Sequence, residues 1–129
     1  MSVLLLLVAT AQAAAPAPSS LPPGTPFGRE TVISFAGSGG LREWTRGPAG
    51  SNALYVRDRT QRWYRVELSG RCRLDVPLDT LSYTTDTNGT FDRFSRLRVA
   101  RYPNQACGVK SIRQSAPPPG YPGARTKRR

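Results

Sequence analysis

Apolar and polar residues alternate through most of the chain, and Gly, Pro, Asp or Asn interrupts the alternation about every ten residues. A period of two is typical of β-strands that bury one face. No stretch has the 3.6-residue period of a long amphipathic helix. The pattern therefore predicts an all-β domain, a small antiparallel meander that curls into a barrel-like sheet or a sandwich.

Two hairpins are the clearest elements of this pattern. Residues 53–57 and 62–68 flank a polar turn, and residues 81–85 and 91–100 surround Asn88-Gly89, a dipeptide that tolerates positive φ in a tight turn. Further strands are expected at 31–35, 41–44 and 107–112. In the first hairpin we expect Tyr55 and Trp63 on one face, where they could pair with each other across the hairpin. The residues expected to face inward, on the other side, are Leu54, Val56, Tyr64, Val66 and Leu68.

Both ends of the chain differ in composition from its middle. An apolar run at 3–9 and the sites Ala11-Gln12-Ala13 and Ala13-Ala14-Ala15 form a signal-peptide pattern, assigned to residues 1–13 with cleavage as late as 15. The run is shorter than the ~20 residues of a membrane-spanning helix, so no transmembrane segment is expected. The remaining divisions are a Pro-rich linker at 14–28 that does not pack, a β domain at 29–114, and a disordered, basic Pro/Gly-rich tail at 115–129.

The chain has two cysteines, Cys72 and Cys107. Export would place them in an oxidising compartment, where a pair is usually bridged, so we predict one Cys72–Cys107 disulfide. It would close a loop of about 36 residues and stabilise the fold by roughly 4 kcal/mol. A redox C-x-x-C motif is absent, and two distant thiols without His do not make an ordinary zinc site.

The formal charge of +11 and the pI near 11.0 raise the hypothesis of an anionic partner. All the basic residues except Lys110 and Lys127 are Arg, a bias that the base composition of a GC-rich genome could also produce. Four cations lie in the tail, which leaves 11 − 4 = +7 for the rest of the chain. Arg96 and Arg98 would share one strand face, so their charges would add. The candidate anion-binding residues are Arg93, Arg96, Arg98, Arg101, Arg125, Lys127, Arg128 and Arg129.

The sequence offers little for catalysis. It has no His, and Lys110 and Ser111 would point to opposite faces of a strand. The carboxylate pairs Asp75/Asp79 and Asp86/Asp92 are interpreted as turn residues and partners for arginines, although such pairs can serve a glycosidase. Residues 86–92 resemble part of a calcium loop but lack its closing Glu. We therefore predict no enzyme activity, no catalytic residues, no metal site and no cofactor.

A set of short motifs runs through the folded part of the chain. The motifs are Ile33-x-Phe35, Leu41-x-x-Trp44, Leu54-Tyr55-Val56, Trp63-Tyr64-x-Val66-x-Leu68, Cys72-x-Leu74, Arg93-Phe94-Ser95 and Cys107-x-Val109-x-x-Ile112. In this order they resemble domain-of-unknown-function family 6491, small exported proteins of Gram-negative bacteria. The resemblance implies an envelope location, in the periplasm or secreted, and paired cysteines. It implies no activity and transfers no catalytic residues.

Two functional hypotheses follow. In the first, the protein is a structural or protein-interaction module that uses an exposed strand edge or an aromatic patch at Tyr55 and Trp63, with Trp44 expected in the core. In the second, it binds an anionic envelope component such as lipopolysaccharide through its arginines. Charge and aromatic residues would also suit a nucleic acid, but export disfavours that partner. The sequence identifies no particular partner.

Overall fold

A computed structural model describes residues 8–9, 21–37, 39–70, 72–74 and 81–121. These residues form an all-β domain without a helix, as the sequence predicts. One six-stranded sheet has the strand order β1-β2-β3-β6-β5-β4, with every neighbouring pair antiparallel. The strands are β1 (Leu41–Arg46), β2 (Ala53–Asp58), β3 (Trp63–Ser69), β4 (Leu81–Tyr83), β5 (Arg96–Val99) and β6 (Cys107–Ser115).

The β2–β3 hairpin confirms the first predicted hairpin. Leu54 pairs with Val66 and Val56 with Tyr64, and the whole predicted inward-facing set is buried. Asp58 fixes the turn, because its Oδ1 accepts hydrogen bonds from Thr60 N at 2.8 Å and from Arg62 N at 3.1 Å. An aspartate that caps its own turn in this way replaces bonds that the backbone loses as it reverses.

The sheet curls into a half-barrel with a concave, apolar interior. Its two edge strands approach each other through side chains, since Trp44 of β1 meets Tyr83 of β4 edge-on at 5.6 Å, and Tyr83 meets Phe91 at 5.9 Å. The loop before β1 lies along this opening. Ile33 forms an isolated bridge with Phe91, and Gly37 N donates to Gly89 O at 3.0 Å. The interior is thus completed by a loop and aromatic contacts.

The strand predicted at 31–35 is wrong. Only the single bridge at Ile33 is present, and the chain turns immediately after it. Phe35 has a φ of 56°, a left-handed conformation that ends an extended segment and is rare for an aromatic residue. The apolar alternation here is real, but it serves a loop that buries Ile33 and leaves Phe35 exposed.

The second hairpin and the disulfide are confirmed. Leu81 pairs with Val99 and Tyr83 with Leu97, although both strands are shorter than predicted. In the turn, Gly89 has a φ of 76° and its N–H donates to Asp86 O at 3.0 Å. The Cys72–Cys107 disulfide joins Cα atoms 5.8 Å apart, tying the segment after β3 to the first residue of β6.

The predicted linker and tail behave differently from expectation where they are described. Pro26 forms a bridge with Ser115, Gly24 N donates to Pro117 O at 3.0 Å, and Ala116 N donates to Thr25 O at 3.0 Å. Prolines lack an N–H but keep a carbonyl acceptor, so a Pro-rich segment can still dock where its neighbours supply donors. Residues 24–27 therefore pack against the end of β6.

Several predictions lie outside the described residues. They concern most of the signal peptide at 1–13, the segment 75–80, and the tail from 122 onward. Within the described part of the chain, no helix has the length and apolar character needed to cross a membrane.

Candidate functional site

The convex side of the sheet, opposite the apolar interior, carries a cluster of cations on β3, β6 and β5. Four of these side chains are exposed and Arg65 is partly buried. Glu67 is the one acid on these three strands. We call this surface the basic face; its cations are Arg65, Arg96, Arg98, Lys110 and Arg113.

Two arginines of the basic face sit directly opposite each other. Arg65 of β3 pairs in register with Arg113 of β6, an arrangement that like-charge repulsion disfavours. Arg65 donates from Nη1 to Tyr55 OH at 3.4 Å, and its Nε lies 3.5 Å from Glu67 Oε1. A depression of about 290 Å³ opens between them, lined by Arg65, Glu67, Ser111, Arg113 and Pro26. The two guanidinium groups and the hydroxyl suit an anionic group, and the Glu67 carboxylate is the one group of this lining that opposes it.

A glycine shapes the basic face beside β5. Gly108 pairs with Arg96 and also with Ser69 on its other side. A Cβ at Gly108 would lie 3.0 Å from Arg96 Nη1 and 2.5 Å from Ser69 Oγ. The missing side chain therefore lets the Arg96 guanidinium lie across β6 toward β3. A bulge follows, because Glu67 pairs with Ser111 and Leu68 with Val109, which leaves Lys110 as an extra, exposed residue.

The structure separates the predicted anion-binding residues. Arg96 and Arg98 are exposed on the basic face. Arg93 is exposed in the turn before β5, 3.6 Å from Glu30, and Arg101 is exposed in the turn after β5. Both lie outside the six strands. Arg125, Lys127, Arg128 and Arg129 lie outside the described residues.

Sequence reasoning missed three cations of the basic face: Arg65, Lys110 and Arg113. The alternation along 107–113 places Arg113 on the solvent side, but nothing local indicates that β6 pairs with β3. That pairing runs from Trp63↔Ser115 to Ser69↔Gly108, so the paired residues are 115 − 63 = 52 to 108 − 69 = 39 positions apart in the chain. It brings together cations that look scattered in the sequence.

The proposed aromatic patch is covered by the chain's own terminal segments. Tyr55 and Trp63 are 4% and 5% exposed. Tyr55 OH donates to Gly24 O at 3.0 Å, and Trp63 packs edge-on against Tyr121 with ring centroids 4.7 Å apart. The two rings do not pair with each other across the hairpin, since Tyr55 faces Arg65 and Trp63 faces Arg57. Trp44 packs against the core, as expected.

The acidic candidates serve turns where they are described. Asp86 Oδ1 accepts from Asn88 N at 2.8 Å and Thr90 N at 2.9 Å, and Asp92 Oδ1 accepts from Phe94 N at 2.8 Å. Asp75 and Asp79 lie outside the described residues. Among the described residues, no group of three or more His, Cys, Asp or Glu is placed to hold a metal ion.

One buried polar pair lies at the end of the first hairpin. Tyr64 OH donates to Asp58 Oδ2 at 3.2 Å. Burial, and then the neighbouring Asp58 carboxylate, raise the pKa of the Tyr64 hydroxyl, while Arg62 opposes the shift. Because Asp58 also caps the β2–β3 turn, this pair is explained by the turn that it stabilises.

The described residues define a small, disulfide-linked antiparallel β domain whose convex side carries the basic face. The chain matches a family of unknown function, DUF6491, over residues 1–117 and belongs to that family. The family resemblance read from the sequence is thereby confirmed. No curated protein and no solved structure was found to match the chain.

Proposed function

We propose that the protein is an exported, non-enzymatic binding domain whose basic face holds an anionic polymer of the cell envelope, such as lipopolysaccharide. The observation that carries the proposal is the gathering of five cations against one acid on neighbouring strands. Multiple cations on one rigid surface bind a repeating anion by the sum of weak contacts.

The geometry of the basic face supports binding at a specific surface rather than nonspecific attraction by the net charge of the chain. Arg65 and Arg113 share one depression with Ser111, and Arg96 lies over Gly108 toward β3. Arginine suits such a face because its planar guanidinium can donate two parallel hydrogen bonds to a phosphate or carboxylate.

Export is supported by the leader pattern at 1–13 and by the disulfide, which persists in oxidising compartments. The absence of His from the chain and the use of Asp86 and Asp92 in turns support a non-enzymatic role. A protein-interaction role through Tyr55 and Trp63 ranks second, since the terminal segments cover both rings.

The experiment compares two double variants of equal charge. R96Q/R98Q removes two cations from the basic face, and R42Q/R46Q removes two exposed cations from β1, at the opposite edge of the sheet. Binding to lipopolysaccharide and to an unrelated polyanion such as dextran sulfate is measured across a salt series. We expect R96Q/R98Q to weaken lipopolysaccharide binding about 10-fold, roughly 0.7 kcal/mol for each exposed contact.

The control should retain most of its affinity for lipopolysaccharide. Equal losses of affinity in both variants would mean that binding depends only on net charge, and would contradict binding at the basic face. Binding of both polyanions that disappears together near physiological salt, where the Debye length is about 8 Å, would also contradict the proposal.

A further inference from the structure

The end of the convex face next to the basic face is filled by proline-rich chain. Residues 117–121, which we call the strap, begin just after Ala116, the residue that follows β6, and pass over Trp63. Pro118 is among the fully buried side chains, and Ala116, just before the strap, is 2% exposed. The strap therefore covers the Trp63 ring, which is 5% exposed. We call the convex surface beneath the strap at Trp63 the groove.

The conformation of the strap follows from its sequence. Pro117, Pro118 and Pro119 have φ fixed near −65°, and a residue that precedes proline is restricted to extended conformations, so the run adopts polyproline II geometry. Tyr121 N then donates to Pro118 O at 3.3 Å, and Gly120 has a φ of 86°. Proline followed by a glycine of positive φ makes a type II turn. This turn brings the Tyr121 ring edge-on to Trp63.

Within the part of the chain that the structure describes, few hydrogen bonds hold the strap in place. Its three prolines have no N–H to donate, and Pro117 O accepts from Gly24 N. The attachment rests chiefly on apolar contact of Pro118 and on the ring contact of Tyr121. Docking of a polyproline II segment on aromatic side chains is a recurring mode of peptide recognition.

We propose that the groove at Trp63 is a binding site for a proline-rich segment of a partner polypeptide, and that the strap holds this site closed in cis. The ligand chemistry is that of the strap itself, consecutive prolines followed by a glycine turn and an aromatic ring. The family match over residues 1–117 includes Trp63 and Pro117, whereas Pro118 and Tyr121 follow the matched residues.

A partner polypeptide fits the site better than a second copy of this chain. A swapped dimer would exchange identical straps, gain no contact that the monomer lacks, and lose the freedom of two independent molecules. A partner can add contacts outside the groove and so compete with a strap whose effective concentration is of millimolar order.

The test opens the groove in the full chain with P118A/Y121A and adds a capped peptide of residues 114–121, which carries no charged side chain. Binding is followed by the indole N–H signal of Trp63 in NMR, assigned with W44F. We expect saturable binding to the opened chain and at least 10-fold weaker binding to the unmodified chain. Y121F, which keeps the ring, is the matched control and should behave as the unmodified chain.

Three outcomes would overturn the proposal. The first is a folded, disulfide-bonded P118A/Y121A chain that does not bind the peptide. The second is equal binding of a peptide with Ala at positions 118 and 121. The third is concentration-dependent dimerisation of the unmodified chain by sedimentation, with the Trp63 signal changing in parallel, which would assign the groove to a second copy.

If P118A/Y121A does not fold, G120A, which only disfavours the turn, replaces it. Because the peptide is uncharged, these results are independent of anion binding.

Discussion

The two sides of the sheet differ in composition and burial, and the four residues of β5 show both kinds of side chain. Leu97 and Val99 point into the interior and are each 1% exposed, while Arg96 and Arg98 point outward and are exposed. The concave side is continuous apolar packing closed by aromatic contacts. The convex side is divided between a covered aromatic end and an open basic end. Stability should therefore depend on the concave side and recognition on the convex side.

The largest effect should come from removing the covalent link beside the concave core. C72A/C107A releases a bridge between residues 35 apart and should lower the free energy of unfolding by about 4 kcal/mol in the chain-entropy model, with a further loss because Cys107 is buried. Urea unfolding followed by circular dichroism measures it. A loss under about 1 kcal/mol would mean that the apolar core alone holds the domain.

The next largest effect on stability comes from a comparison of two neighbouring residues of β5 that face opposite sides of the sheet. Leu97→Ala removes a fully buried side chain from the interior and should destabilise the fold by about 3 kcal/mol, within the usual range for large-to-small core substitutions. Arg98→Ala, one residue away on the convex side, is the matched control and should stay within about 0.5 kcal/mol of the unmodified chain. Similar losses in the two variants would contradict the division between the sides.

The division between core and surface was readable from the sequence where the contacts are local. The β2–β3 hairpin needs only an alternating pattern and a four-residue turn, and the Asn88-Gly89 turn supplies its own positive φ at Gly89. The disulfide could be predicted because the chain has only two cysteines and export would place them in an oxidising compartment. Arg96 and Arg98 could be placed together because a strand repeats every two residues.

What the sequence did not indicate depends on distant contacts. Arg65 and Arg113 become neighbours only through the β3–β6 pairing. The Pro-rich composition of the terminal segments predicts that they do not pack, but Gly24 N donates to Pro117 O and Ala116 N donates to Thr25 O, so the two segments bind each other. Phe35 has a left-handed conformation that its residue type disfavours, so residues 31–35 do not form the predicted strand. Each difference arises where tertiary structure overrides a local preference.

A smaller effect should appear where a polar pair lies at the edge of the concave side. Tyr64→Phe removes the donor to Asp58 Oδ2 and should cost about 1–2 kcal/mol at neutral pH. Since the folded state raises the pKa of Tyr64, its contribution is fully present below the unfolded value near 10 and is lost as pH rises through the folded value. Urea midpoints from pH 8 to 11 should therefore converge for the two chains; a constant gap would contradict the shift.

On the covered end of the convex side, Gly120→Ala should cost about 1 kcal/mol, because φ of 86° is unfavourable for a residue with a Cβ. The change should loosen the contact of Tyr121 with Trp63 while the concave core remains packed. Acrylamide quenching of tryptophan fluorescence should increase, with Y121F as the control that keeps the ring contact. Unchanged quenching in G120A would show that the turn does not hold the strap.

The smallest effect on stability should come from the open end of the convex side. R96Q/R98Q removes two exposed cations from a chain of net charge +11, so relief of repulsion should balance any lost contact over Gly108 and keep the free energy of unfolding within about 0.5 kcal/mol. Added salt should shrink even that difference, because it screens exposed charges. Urea unfolding at low and high salt measures the stability difference and its salt dependence.

A loss of unfolding free energy above 1 kcal/mol would mean that these arginines stabilise the fold. A negligible change together with weakened lipopolysaccharide binding would assign them to recognition, since the sheet keeps them exposed without depending on them.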